Sequence, residues 1–121
     1  MKSKIPPLYL KIYQLIKYLY CVTSQFRKEY KFTLGSSILD LSWNMLDLTV
    51  EANFSPNTLK TIVIKKISSD FDKLKLRVRM AHELKLISHR QYGHIILQFE
   101  EIGKMLSGWL SWAKKQNIEG A

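Results

Sequence analysis

One cysteine, three prolines and five glycines are all that 121 residues contain of the usual fold punctuators. A lone Cys21 closes no intrachain disulfide, so the fold must rest on a core, and a reducing compartment fits. No catalytic signature surrounds Cys21, and a half-buried packing role is expected for it. Proline and glycine are never concentrated in one stretch, and 46% of residues are hydrophobic, which excludes disordered and collagen-like chains. No apolar run approaches the roughly 20 residues of a membrane span. The opening MKSKIPPLYLKIYQLIKYLY has Lys11 and Lys17 inside its apolar stretch. No small-residue cleavage site follows, so no signal peptide is expected and the cytoplasm is the expected location.

Catalytic and metal signatures are missing too. No cysteine pair offers a zinc site. His82, His89 and His94 lack paired-ligand spacing, and His82-Glu83-Leu84 is not the start of HExxH. Neither glycine-rich phosphate loop, GxxxxGK[ST] or GxGxxG, is present, and no carboxylate pair is spaced for acid–base work. A nonenzymatic protein without metal or cofactor is expected. The alternative is a small helical enzyme using basic side chains on an anionic substrate.

Acid is scarce as well. Nineteen Lys and Arg stand against ten Asp and Glu, a net +9. Such an excess attracts polyanions by releasing their counterions, nucleic acid before an anionic membrane.

Apolar residues recur at helical spacing throughout, and no strand-like alternation persists. Leu8, Ile12, Leu15, Leu19, Val22 and Phe26 form the stripe of a first helix over about 6–27, with Pro6 and Pro7 in its first turn. Leu34, Ile38, Leu41, Met45, Leu48 and Ala52 mark a second over 34–53. ANFSPN breaks the chain. Leu59, Val63, Ile67, Phe71, Leu74, Val78 and Ala81 mark a third over 57–86. Ser88 and Gln91 make a capping box for a fourth over 89–115, with Tyr92, Ile95, Phe99, Ile102, Leu106, Trp109 and Ala113 inward. The polar tail should fray. Gly103 and Gly108 lie in this helical pattern, where close packing is their ordinary role. One all-α domain follows, an antiparallel up-down-up-down four-helix bundle.

Two helices carry more apolar surface than one face needs. Leu39, Trp43, Leu46 and Val50 run beside the second stripe, opposite a polar line of Asp40, Asn44, Asp47 and Glu51. Tyr9, Tyr13, Ile16 and Tyr20 run beside the first. Either these helices have wide core faces, or the extra stripes bury a contact between copies of the chain.

The cations are unevenly placed. Lys60, Lys65, Lys66, Lys73, Lys75, Arg77, Arg79, Lys85 and Arg90 face only Asp70, Asp72 and Glu83, a net +6 within residues 60–90. Part of this is an ordinary solvated face with Asp72–Lys75 and Arg79–Glu83 pairs. Lys73 and Arg77 are left over, beside Lys66, and the guanidinium fork suits phosphate. Arg27, Lys28 and Lys31 add charge in the connector FRKEYKFTLGSS, with Tyr30 expected to fold inward rather than stack on a base. In that connector Thr33 is placed to cap the second helix, Phe32 to clamp its approach, and Gly35 to allow close backbone contact.

Three ordered stretches, KEYKFTLGSS (28–37), KLKLRVRMAHELKLISHRQYGHI (73–95) and EEIGKMLSGWLSWAKK (100–115), resemble one family. They are similar to the accessory variability determinants, or Avd, of diversity-generating retroelements. That family is related to bundle proteins encoded in intervening sequences of bacterial ribosomal RNA genes. Ser107 stands where the pattern has a second glycine before Gly108-Trp109. The resemblance implies a barrel-like homopentamer of four-helix bundles with a basic surface and no catalysis of its own. It implies binding to the reverse transcriptase and to RNA, and possible contact with DNA or hybrid, in support of error-prone cDNA synthesis. Carried over by position, the binding residues are Lys73, Lys75, Arg77, Arg79, Lys85 and Arg90. The alternative within the same fold is a structural or RNA-associated oligomer of the ribosomal-intervening-sequence type, without a polymerase partner.

Overall fold

The computed structural model describes residues 7–119. Four long helices carry the fold: α1 (Leu8–Thr23), α3 (Ser36–Phe54), α4 (Asn57–Glu83) and α5 (His89–Glu119). Between α1 and α3 lie a single turn, α2 (Lys28–Tyr30), and a π-helical segment, Lys31–Gly35. No strand occurs among the described residues, and no described helix is long and apolar enough to cross a membrane. α1 packs on α3 and α5, and α4 also packs on α3 and α5, so the four close a ring around one core. Ile12, Leu15, Leu19, Ile38, Met45, Ile64, Ile67, Leu74, Ile95 and Ile102 are fully buried there.

The predicted core stripes hold with informative exceptions. Leu59 is 50% exposed, whereas Ile64 is buried. Each residue of a helix turns about 100°, so repeated four-residue steps drift about 40° each time. Stepping back from Ile67 through Val63 to Leu59 therefore leaves the core, while Ile64 and Lys60 stay aligned with it. Lys60 is half-buried, and its ammonium donates to the carbonyls of Ala52 (2.7 Å) and Ser55 (2.8 Å) at the end of α3. A cation there also complements the negative end of that helix. Its charge is engaged in the fold.

α3 places two polar residues, Ser42 and Thr49, fully in the core. Their hydroxyls donate to the carbonyls of Leu39 (2.8 Å) and Met45 (2.7 Å) within the same helix. Neither leaves an unpaired donor, and both are small enough for close packing. Across α3 and α4, the polar contacts Ser37–Arg77, Asn44–Asp70 and Ala52–Lys60 fall in opposite sequence order.

The connector differs from expectation. Helical backbone starts at Lys28 rather than Leu34, where the Arg27 carbonyl accepts from Tyr30 N and Lys31 N. Thr33 does not cap: it sits inside the π turn, where its hydroxyl donates to the Glu29 carbonyl at 3.1 Å. Phe32 clamps nothing, being 71% exposed. Gly35 does allow close approach. A Cβ there would lie 3.4 Å from Phe26 and 3.5 Å from the Tyr30 carbonyl oxygen. Tyr30 is half-buried against the core, as expected. Cys21, by contrast, is exposed, because it falls beside Lys17 and Gln14 rather than on the Leu15–Leu19–Val22 line.

At the other end, Ser88 and Gln91 form the predicted box, with reciprocal bonds of 3.0 and 3.1 Å. α5 does not fray at residue 116. It continues to Glu119, and the Asn117 amide donates to Thr61 Oγ1 at 2.9 Å. Pro6 and the last two residues of the tail lie outside the described residues. Gly103 packs against the Phe71 ring, but Gly108 faces open space, so close packing accounts for only one of the pair.

The α4–α5 corner is a Schellman turn, in which Leu86 N bonds Ala81 O and Lys85 N bonds His82 O. It holds Lys85 at φ 63°, a left-handed conformation that strains a residue with a Cβ. Lys85→Gly should therefore raise the unfolding free energy by about 1 kcal/mol, measured by urea denaturation. A destabilised variant would contradict the strain.

Candidate nucleic-acid interface

The cations of α4 do not form one patch; they divide between two sides of the helix. Lys75 and Arg79 face α5. There, with Phe71, Leu76, Tyr92, Ile96, Phe99 and Gly103, they border an apolar-floored groove of about 700 Å³. Both are engaged as the spacing predicted: Lys75 pairs with Asp72 at 3.3 Å and lies over the Phe71 ring, and Arg79 pairs with Glu83 at 3.0 Å.

Lys73 and Arg77 face α3. They border a second cleft, of about 640 Å³, whose opposite wall is Thr33, Ser36, Ser37, Asp40, Leu41 and Asn44. Arg77 is half-buried, and its Nε donates to Ser37 Oγ at 2.7 Å while Nη1 donates to the Lys73 carbonyl at 3.2 Å. Two bonds orient the guanidinium and leave further N–H groups for a ligand. Neither Lys73 nor Arg77 has a carboxylate partner among the described residues. Asp70, one turn before Lys73 on α4, is buried and accepts from the Asn44 amide. The cleft thus combines two cations that form no ion pair among the described residues with three hydroxyls and the carboxyl-bearing Asp40.

The other predicted binding residues are scattered. Lys66, Lys85 and Arg90 are exposed outside this cleft. Arg27 pairs with Glu29 at 3.4 Å and lies over the Tyr30 ring, while Lys28 and Lys31 are exposed. The π turn brings the connector to the cleft through Thr33, two residues from Lys31.

The predicted contact stripe keeps its outer members. Tyr9, Tyr13, Tyr20, Trp43 and Val50 are exposed, and Trp43 Nε1 donates to the Tyr20 hydroxyl at 2.9 Å, joining α1 and α3 into one surface. Leu39 is half-buried. Leu46 and Ile16 are buried, at 8% and 2% exposure, because the α1–α3 packing takes the inner edge of both stripes into the core. Neither is free to bury a contact between subunits.

Sequence spacing did not foresee two polar meetings. Asn44 and Asp70 are joined only by the α3–α4 packing. His82 Nε2 lies 3.1 Å from His89 Nδ1, with Tyr92 stacked on the His82 ring. Two nitrogens make half a metal site, and no cluster of three ligating residues occurs among the described residues.

Fold and site together define a small basic helical bundle with a cleft that joins unpaired cations, hydroxyls and one carboxylate. The chain matches the bAvd-like family model over residues 8–113 and belongs to that family of accessory proteins. A comparison with curated proteins finds no match.

Proposed function

We propose that the protein is a nonenzymatic accessory subunit of a diversity-generating retroelement, holding template RNA and reverse transcriptase together during mutagenic cDNA synthesis. Membership of the bAvd-like family supports the role, and the observation that carries the chemistry is Lys73 beside Arg77, neither in an ion pair among the described residues. Lys and Arg would neutralise phosphates with little reading of bases, so RNA, cDNA and their hybrid are all candidate ligands. Lys75, Arg79, Lys66, Lys85, Arg90 and the connector cations Arg27, Lys28 and Lys31 would extend the field around the strand. The helices would alternate up and down, antiparallel to their neighbours. Five copies would close a barrel through Tyr9, Tyr13, Tyr20, Leu39, Trp43 and Val50, whose exposed rings and methyls need a cover.

The test uses the full chain, a 20-nucleotide RNA and the reverse transcriptase of a diversity-generating retroelement. The expected result is a complex with both partners and an assembly of five 14.2 kDa chains. The RNA affinity should fall by about 0.7 log units per log unit of salt for each phosphate held. A monomer that ignores RNA at low ionic strength would overturn the proposal.

A further inference from the structure

Asp40 sits oddly in a phosphate cleft. It lines the same cavity as Lys73 and Arg77, yet its carboxylate pairs with no cation among the described residues. Beside a bare phosphate it would only repel. An ionised carboxylate accepts hydrogen bonds and donates none, so it favours a ligand carrying hydroxyl donors next to its negative charge. A ribonucleotide has that arrangement, with the 2′-hydroxyl adjacent to the phosphodiester. Deoxyribose lacks it. A carboxylate on ribose hydroxyls is an established means of recognition in dinucleotide sites, and the 2′-hydroxyl is what distinguishes RNA from DNA.

The dimensions agree. Ser37, which holds the Arg77 guanidinium, precedes Asp40 by three residues, roughly 5 Å along the helix at 1.5 Å each. Ser37 and Asp40 thus stand about one turn apart on the same wall, so a group held at Arg77 has Asp40 as a near neighbour. A volume of about 640 Å³ suits a single unit rather than a duplex. Leu41 is the one large apolar residue on the walls, and no aromatic ring lines them, so the cleft is equipped to read sugar and phosphate and not to stack a base.

We infer that the α3–α4 cleft binds one ribonucleotide unit of single-stranded RNA, with Lys73 and Arg77 on the phosphate and Asp40 accepting the 2′-hydroxyl. This rests on the nucleic-acid reading above and adds a preference for RNA over DNA.

The experiment compares 20-mers of oligo(U), oligo(dU) and 2′-fluoro-oligo(U), with free UMP as competitor, on the wild-type chain, Asp40→Ala and Asp40→Asn. The wild type should bind oligo(U) about five-fold more tightly than either other strand. Asp40→Ala should tighten binding of oligo(dU), because a negative charge leaves the cleft, and bring the RNA:DNA ratio near one. Asp40→Asn keeps an accepting carbonyl and should retain part of the ratio. A wild type that binds oligo(U) and oligo(dU) equally overturns the inference while leaving the proposed function standing. So does a ratio unchanged in Asp40→Ala, or 2′-fluoro binding equal to RNA, which would mean strand geometry is read. UMP binding as tightly as the strand overturns it in favour of a free-nucleotide site. No binding of any strand at low salt rejects the proposed function itself.

Discussion

Leu74→Ala should lower the unfolding free energy by about 2–5 kcal/mol, whereas Leu76→Ala, two residues along the same helix, should change it by no more than about 0.5 kcal/mol. Leu74 is fully buried and Leu76 is 64% exposed. The first substitution removes three heavy atoms from between α4 and its neighbours and leaves a cavity that the helices can only partly close. The second removes surface that water already reaches. Small domains have about 5–15 kcal/mol in total, so Leu74→Ala would consume a large share of the fold's stability. Urea midpoints for the two variants, with unchanged m-values, check the prediction. Equal midpoints would mean that α4 is not seated as described, and the division of its cations between two clefts would fall with it.

The same helix explains why so much of the architecture was legible and so little of the site. A buried face repeating every 3.6 residues leaves a long-range trace, and the Leu15–Leu19–Val22 and Ile95–Phe99–Ile102 lines needed no knowledge of partners. Short-range chemistry was legible too. The Ser88–Gln91 box closes within four residues, and Asp72–Lys75 and Arg79–Glu83 within one turn. Reading failed where the answer depended on rotation about a helix axis or on what stood opposite. Leu59 and Lys60 exchanged roles because the core line drifts at the start of α4. For Leu46 and Ile16 the spacing leaves both a wide core face and a contact surface open, because it does not show how far the α1–α3 packing reaches into the second stripe; their burial decides for the core. Ser42 and Thr49 gave no apolar signal at all, although they occupy core positions. The cleft is the extreme case. Its walls, residues 33–44 and 73–77, are some 30 positions apart in the chain, and only folding sets Ser37 and Asp40 across from Arg77.

The double variant Lys73→Ala/Arg77→Ala should weaken RNA binding by roughly 10- to 100-fold at low salt and flatten the log–log salt slope by about 1.4, two contacts at about 0.7 each. Lys75→Ala/Arg79→Ala should weaken it by no more than about five-fold. Both variants remove two positive charges from a chain of net +9, so any effect of overall charge on encounter is common to them. Only local geometry differs. Lys75 and Arg79 already hold Asp72 and Glu83 and would have to exchange those partners for phosphate, with little net gain. Lys73 and Arg77 hold no carboxylate, and Ser37 keeps the Arg77 fork aimed before any ligand arrives, so less freedom is lost on binding. At physiological salt the screening length is about 8 Å, which suppresses the shared long-range part, and because the first double has the flatter slope the gap between the two variants should narrow as salt rises. Parallel losses from both doubles across salt would show that the charge acts only as a diffuse field. A loss confined to the first would show that phosphate is held between α3 and α4, where the neighbouring carboxylate and hydroxyls can act on the same nucleotide.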